Sequence, residues 1–198
     1  MEVSVRDMLD LTGQTLRDPR EAAQRVLAMD VATAVWWQAL ALIVILSLLL
    51  SEISAAMMPG PMAMPLLNAP LLLALAMGGL TVLTVFAVHH VGRVMGGTGA
   101  FHGALALTTW LQAVMLLVQA GQVVVGLLLP PLAGLIGIAA VALSFWLLTN
   151  FVAVLHGFTS LGKVFAMILV TGFAVATVVV FLLVLFGISL GPEAANAG

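Results

Sequence analysis

The chain has 198 residues, of which 63% are hydrophobic and only 7% are charged, and its formal net charge is -2. Soluble domains carry about 25% charged residues, so this chain cannot cover itself with polar surface and water is not its main solvent. Because it contains no cysteine, disulfides, thiolate metal sites and cysteine nucleophiles are excluded.

The polar N-terminal segment, residues 1–30, carries the signature of a helix start. Asp18 is a candidate N-cap, Pro19 occupies the first helical position, and Glu21 follows three residues after the cap. This order is typical of a capped helix. We therefore predict a short amphipathic helix after Asp18 and a second, earlier one over residues 4–16.

The helix after Asp18 has an apolar face and two arginines. Ala22, Val26 and Met29 share one side, and Arg20 and Arg25 are placed to reach phosphate headgroups. A basic amphipathic helix of this kind is typical of a membrane interface. The sequence thus predicts an interfacial helix that lies on the lipid.

Five stretches that follow are long enough to cross a bilayer, which takes about 20 apolar residues. They are residues 33–53, 69–89, 103–129, 132–155 and 164–190. Lipid permits only helices or closed barrels, and these lengths exclude barrel strands. We predict an all-α polytopic membrane protein, with a five-helix transmembrane domain over residues 31–190 and a short tail over residues 191–198.

The basic residues predict the orientation of these spans. With five spans, all six fall on one side of the membrane: Arg6, Arg17, Arg20, Arg25, Arg93 and Lys163. Lysine and arginine favour cytoplasmic loops, so the N-terminus is predicted to be cytoplasmic and the tail to be on the other side. Arg93 and Lys163 are interpreted as headgroup and topology anchors. Low charge and compact loops suit a bacterial inner membrane.

The loop between the second and third spans is rich in glycine and histidine, in the order HHVGRVMGGTGAFHG. It lacks the strand and the lysine of a phosphate-binding loop, so a tight turn is the favoured interpretation. The topology places four histidines near the cytoplasmic face: His89, His90, His102 and His156. Structural or interfacial roles are favoured for them, and proton sensing or metal binding stays an alternative.

Three glutamines, Gln112, Gln119 and Gln122, form a polar stripe on one face of the third span. Such a stripe should face protein or water. It is interpreted as a set of hydrogen bonds that hold helices together or, alternatively, as the lining of a polar pathway. Asn150 in the fourth span is a plausible partner in both cases.

Catalytic groups are not apparent in the sequence. Glu52 stands alone at the far end of the first span, and acid–base catalysis would want a second group at the same depth. No Ser/His/Asp set, carboxylate pair or HExxH motif is present. The chain is therefore predicted not to be an enzyme, and no cofactor and no metal are implied.

Small residues predict close helix packing in two places. Gly99 and Gly103 open the third span with GxxxG spacing, and Gly172 and Ala176 form a small-xxx-small pair in the fifth span.

The order of these features resembles the bacterial branch of the Yip1 domain family. The resemblance rests on a DPREA segment before the first span, a GGTGAF loop before the third, and HGFTSLGKVFA between the fourth and fifth. Positions that match recurring family features are Gly96, Gly97, Gly99, Trp110, His156, Ser160 and Lys163. The resemblance implies five spans, a cytoplasmic N-terminus, and loop and packing roles for these residues. Eukaryotic relatives act in vesicle traffic, but their long N-terminal region has no counterpart here, so that role is not transferred.

Three functions are compatible with the sequence. The first is a membrane scaffold, adaptor or accessory subunit that contacts another membrane protein or itself within the bilayer. The second is a small channel or transporter that uses the glutamine stripe, and the third is a lipid-interacting, membrane-shaping protein. Membrane lipids are expected partners and nucleic acid is not.

Overall fold

The computed structural model describes residues 5–57 and 70–185, and every regular element in these ranges is a helix. The helices are α1 (Val5–Arg17), α2 (Pro19–Leu27), α3 (Thr33–Met57), α4 (Pro70–Val94), α5 (Phe101–Leu128), α6 (Pro130–His156) and α7 (Leu161–Leu185). Helices α3 to α7 are long and apolar enough to cross a membrane. The predicted fold class is confirmed. The end of the fifth predicted span and the tail over residues 191–198 lie outside the described residues.

Two boundaries differ from the sequence prediction. Helix α4 continues to Val94, so His89, His90 and Arg93 lie on a helix and not in a loop. The break between the third and fourth spans falls at Leu129, and Pro130 and Pro131 form the first turn of α6. Proline fits the first helical turn because its missing N–H would have no partner there.

Glycines in the left-handed conformation end α4 and α6. Gly96 has a φ of 91° and Gly157 a φ of 72°. Beyond each of them, an N–H reaches back to a carbonyl of the last turn: Gly97 to Gly92 O at 2.9 Å, and Phe158 to Ala153 O at 2.9 Å. This closure satisfies carbonyls that a helix end leaves open, and it fixes the direction in which each loop leaves.

Buried side chains gather at one end of the bundle, which we call the basic end. It comprises α1, α2 and the parts of α3 to α7 nearest to them, and it carries all six lysine and arginine residues. The main buried apolar side chains here are Leu11, Ala22, Val26, Trp36, Leu40, Val85, Leu105, Trp110, Val114, Leu147, Phe151 and Val164. The two N-terminal helices are therefore part of the same core as the spans.

The lengths of α5 and α6 show how such a core is compatible with a bilayer. Their 28 and 27 residues correspond to about 42 and 40 Å of helix, against about 30 Å of hydrocarbon. The excess of roughly 10 Å is close to the depth at which α1 and α2 pack on them, because Trp110 lies nine residues into α5, about 14 Å from its start. The spans are long enough for their ends, on which α1 and α2 pack, to extend beyond the hydrocarbon.

The far half of the bundle, opposite the basic end, is more open. Helix α7 packs on α6, and a cleft of about 450 Å³ lies between α4, α6 and α7. Many apolar side chains of α7 in this half are exposed, among them Phe173, Val178 and Phe181. This half is the part suited to contact with lipid.

Candidate functional site

His156 is the most buried of the four histidines, with 3% of its surface exposed. Its Nδ1 accepts a hydrogen bond from the Gly99 N–H at 3.1 Å, and its Nε2 donates to the Val88 carbonyl at 2.9 Å. One nitrogen accepts and the other donates, so these partners assign the neutral Nε2–H tautomer. The imidazole ties the end of α6 to α4 and to the loop before α5.

Glycines surround this imidazole at contact distance. A Cβ atom added to Gly92 would lie 2.2 Å from Nε2 of His156, and one added to Gly97 would lie 2.4 Å from Nδ1. At Gly99 it would lie 2.6 Å from the Leu155 side chain. The prediction of a tight turn is confirmed at Gly96, while Gly97 and Gly99 are needed for packing against His156. Sequence reasoning missed Gly92, because nothing in its neighbourhood points to a histidine 64 positions later.

The other three histidines lie at the basic end, but each has its own partners. Nδ1 of His102 lies 3.0 Å from the Thr33 hydroxyl, and Nδ1 of His90 lies 3.0 Å from the Phe86 carbonyl. His89 meets the ring of Phe101 edge-on at 5.6 Å. Within the described residues, no three His, Asp or Glu side chains converge as metal ligands. The arrangement favours packing and hydrogen bonding for His90 and His102, whereas His89 packs on Phe101 and its Nδ1 is buried without a hydrogen-bond partner.

Helix α1 is fastened to the bundle by a buried hydrogen bond. Nε1 of Trp110 donates to the Thr15 hydroxyl at 3.0 Å, and this hydroxyl donates in turn to the Leu11 carbonyl at 2.7 Å. Thr15 has no exposed surface. Trp110 was predicted to be a packing position, whereas Thr15 carries no sequence signal that separates it from an ordinary surface threonine.

Helix α2 begins as predicted, but its apolar face packs on protein. The Asp18 carboxylate accepts hydrogen bonds from the N–H groups of Arg20 and Glu21 at 3.2 and 3.0 Å. Ala22 and Val26, however, are buried among α5 and α6. The interpretation of this face as lipid-facing is wrong, because the excess length of α5 and α6 provides an apolar protein surface for it.

The two arginines of α2 bond to protein side chains. Nε of Arg20 donates to the Asn150 side-chain oxygen at 3.3 Å, and Arg25 donates to the Gln14 side chain. Asn150 also donates to the Trp146 carbonyl at 2.8 Å. The expected pairing of Asn150 with the glutamines is wrong: it lies near the basic end of α6 and serves as the anchor for α2.

The three glutamines face two different neighbours. Gln119 donates to the Ser47 carbonyl of α3 at 3.1 Å, whereas Gln122 donates to the Ala133 carbonyl of α6 at 2.9 Å. Gln112 and Gln119 line a cavity of about 260 Å³ between α3, α4 and α5. The glutamines of the stripe thus have two roles: Gln119 and Gln122 form hydrogen bonds between helices, and Gln112 and Gln119 line one short polar cavity.

At the start of α7, Ser160 acts as a cap. Its hydroxyl accepts a hydrogen bond from the Lys163 N–H at 3.4 Å. The Lys163 side chain is exposed, as is Arg93 in the last turn of α4. Glu52 is exposed near the opposite end of α3. These placements agree with the expected anchoring roles, which stay predictions.

Five long apolar helices that share a buried core define a polytopic helical membrane protein. The Yip1 domain matches residues 13–188, nearly the whole chain, and the protein belongs to the Yip1 domain family. No curated protein and no solved structure is similar enough to match.

Proposed function

We propose that this protein is a non-enzymatic membrane scaffold, an adaptor or accessory subunit of a larger membrane assembly. The observation that carries the proposal is the joining of α1 and α2 to the spans through buried bonds of Trp110 and Asn150. His156, the most buried histidine at the basic end, is engaged in holding helices together. What remains for function is the assembled surface itself.

The surface of α1 supports a role in contacting partners. Leu11 and Thr15 face the core, whereas Leu9 and Leu16 are 59% and 45% exposed. Leu9 and Leu16 are seven residues apart, so they share one face of the helix. We infer that this pair, held in place by the docked side of α1, is where a partner protein binds.

The distribution of basic residues supports an orientation for this surface. Because lysine and arginine favour the cytoplasmic side, we place the basic end in the cytoplasm. With the compact loops, this agrees with a multi-pass protein of a bacterial inner membrane. The partner then reaches α1 from the cytoplasmic side or from a neighbouring protein in the same membrane.

Gentle extraction from the native membrane, followed by size analysis and mass spectrometry, tests the proposal. We expect a stoichiometric partner to co-purify with the wild type. A double variant, Leu9→Gln with Leu16→Gln, should lose it, while the matched pair Leu9→Met with Leu16→Met keeps the apolar face and should retain it. Recovery of the wild type alone, or only with copies of itself, would contradict the proposed partner.

The cavity between α3, α4 and α5 favours a second candidate, a small channel or transporter. Gln112 and Gln119 are the polar side chains through which a solute would pass. Flux in liposomes that Gln119→Leu abolishes, while folding is intact, would support it. Absence of flux in the wild type would remove it.

A further inference from the structure

The cleft between α4, α6 and α7 is apolar along nearly its whole length. On α4 it runs from Leu80 to Val91, and on α7 from Met167 to Val180. Gly172 and Ala176 face into it, and a Cβ added at Gly172 would meet no atom within 4 Å. The expectation that this small-xxx-small pair packs against another helix is wrong in this structure. The small residues instead widen an open cleft.

A second cavity, of about 270 Å³, lies next to the end of the cleft nearest the basic end, and Met167 lines both. This second cavity is lined by Lys163 and by the two hydroxyl-bearing residues Thr159 and Ser160. No carboxylate occurs in the sequence between Glu52 and Glu193. The helices and loops around this mouth therefore contribute positive charge and hydrogen-bond donors, with no acidic residue of their own.

We propose that the cleft and its mouth form a binding site for an anionic phospholipid. An acyl chain lies in the apolar cleft, and the phosphate lies at the mouth, where the Lys163 ammonium group and the hydroxyls of Thr159 and Ser160 meet it. The charge of the mouth and the apolar character of the cleft match the two ends of such a lipid. This site lies on α4 and α7 and does not depend on the proposed partner surface of α1.

The charge at the mouth argues for an anionic lipid and against an apolar helix from a partner or a second copy. Six residues of α4 line the cleft, between Leu80 and Val91, which is about 16 Å of helix. The cleft holds about 450 Å³. A lipid combines an apolar chain for the cleft with an anionic group for Lys163, whereas an apolar helix offers no anion at the mouth.

Native mass spectrometry of the full chain, with phosphatidylglycerol and phosphatidylcholine added in equal amounts, tests the site. We expect the wild type to retain phosphatidylglycerol preferentially. Lys163→Gln should reduce that preference about fivefold, the effect of one basic residue near a charged lipid surface. Lys163→Arg should keep it, and Arg17→Gln, which removes a cation from α1, should leave it unchanged.

A second variant tests the cleft separately from the charge. Gly172→Leu fills the cleft and should reduce retention of both lipids, whereas Gly134→Leu, at an equally open glycine of α6 outside the cleft, should not. Elution of each variant at the wild-type size confirms folding. If Lys163→Gln and Gly172→Leu retain phosphatidylglycerol as well as the wild type does, the proposal is overturned. A bound protein or second copy that Gly172→Leu displaces in place of lipid would also overturn it.

Discussion

The basic end and the far half of this bundle are built from the same five spans, yet they are packed in different ways. At the basic end, Trp110, Phe151 and His156 are buried among two extra helices and a glycine-lined turn. In the far half, α7 contacts α6 and leaves a cleft beside α4. The same helices thus form a closed core at one end and an open surface at the other.

The difference follows from the solvent that each half faces. In hydrocarbon, an apolar side chain gains little by leaving lipid for protein, so exposed apolar faces are stable there. Beyond the hydrocarbon, water makes the same exposure costly, at about 25 cal/mol per Å² of apolar surface. The extra length of α5 and α6 is therefore covered by α1 and α2.

Among the variants that test this comparison, the largest loss of stability is expected when the imidazole at the centre of the basic end is removed. His156→Ala leaves a cavity and removes the partners of Gly99 N–H and Val88 O, and we expect it to cost about 4 kcal/mol of unfolding free energy. Thermal unfolding in detergent, followed by circular dichroism, measures it. His102→Ala removes a ring at the surface of the same end and should cost less than about 1 kcal/mol. Equal losses for both variants would contradict the account.

A methyl group added beside the same ring should have the next largest effect. Gly92→Ala places a Cβ on the imidazole, and overpacking of this kind typically costs about 1 to 3 kcal/mol. Gly121→Ala, at a helical glycine with no neighbour within 4 Å, should leave stability unchanged or slightly raised. The melting temperatures of the two variants are compared with that of the wild type. If Gly92→Ala melts at the wild-type temperature, the close packing of Gly92 against His156 is contradicted.

The attachment of α1 can be weakened without disturbing the spans. Trp110→Phe keeps an aromatic ring but removes the bond to Thr15, with an expected loss of about 1 kcal/mol. Cleavage by trypsin after Arg17 should become faster, because α1 detaches more often. Trp146→Phe changes a partly exposed ring of α6 and serves as the control. Unchanged cleavage in Trp110→Phe would show that α1 is held by other contacts.

The smallest effect is expected in the membrane-spanning part. Gln119→Leu loses one hydrogen bond to the Ser47 carbonyl, and interactions of this kind between membrane helices average about 0.6 kcal/mol. The melting temperature should therefore hardly change. A loss comparable to that of His156→Ala would show that the two regions are equally dependent on polar contacts.

Much of the fold could be predicted from the sequence because lipid imposes simple requirements. Uninterrupted apolar stretches mark the five helices, and Asp18 with Pro19 marks the start of α2. The contacts of these elements could not be predicted in the same way. The apolar face of Ala22 and Val26 is equally suited to lipid and to protein, and only the length of its neighbours decides between them.

The candidate site was predicted less completely for a related reason. His156, Trp110 and the glycines were recognised as positions of interest, but their pairing depends on contacts between residues far apart in the sequence. Thr15 meets Trp110 across 95 positions, and Arg20 meets Asn150 across 130. A single sequence contains periodicity and caps, which are local, and it has no comparable signal for such pairs.

Hydrogen exchange of α2 in lipid nanodiscs tests most directly whether the N-terminal helices belong to the core of the basic end. Alone, a helix of nine residues is marginal in water, so slow exchange requires a tertiary partner. We predict slow exchange over Pro19–Leu27 in the wild type and much faster exchange in Trp110→Ala, which removes a ring of the shared core and detaches α1, the helix that packs on α2. Slow exchange that is the same in both proteins would mean that α2 is protected by lipid, and would contradict the account.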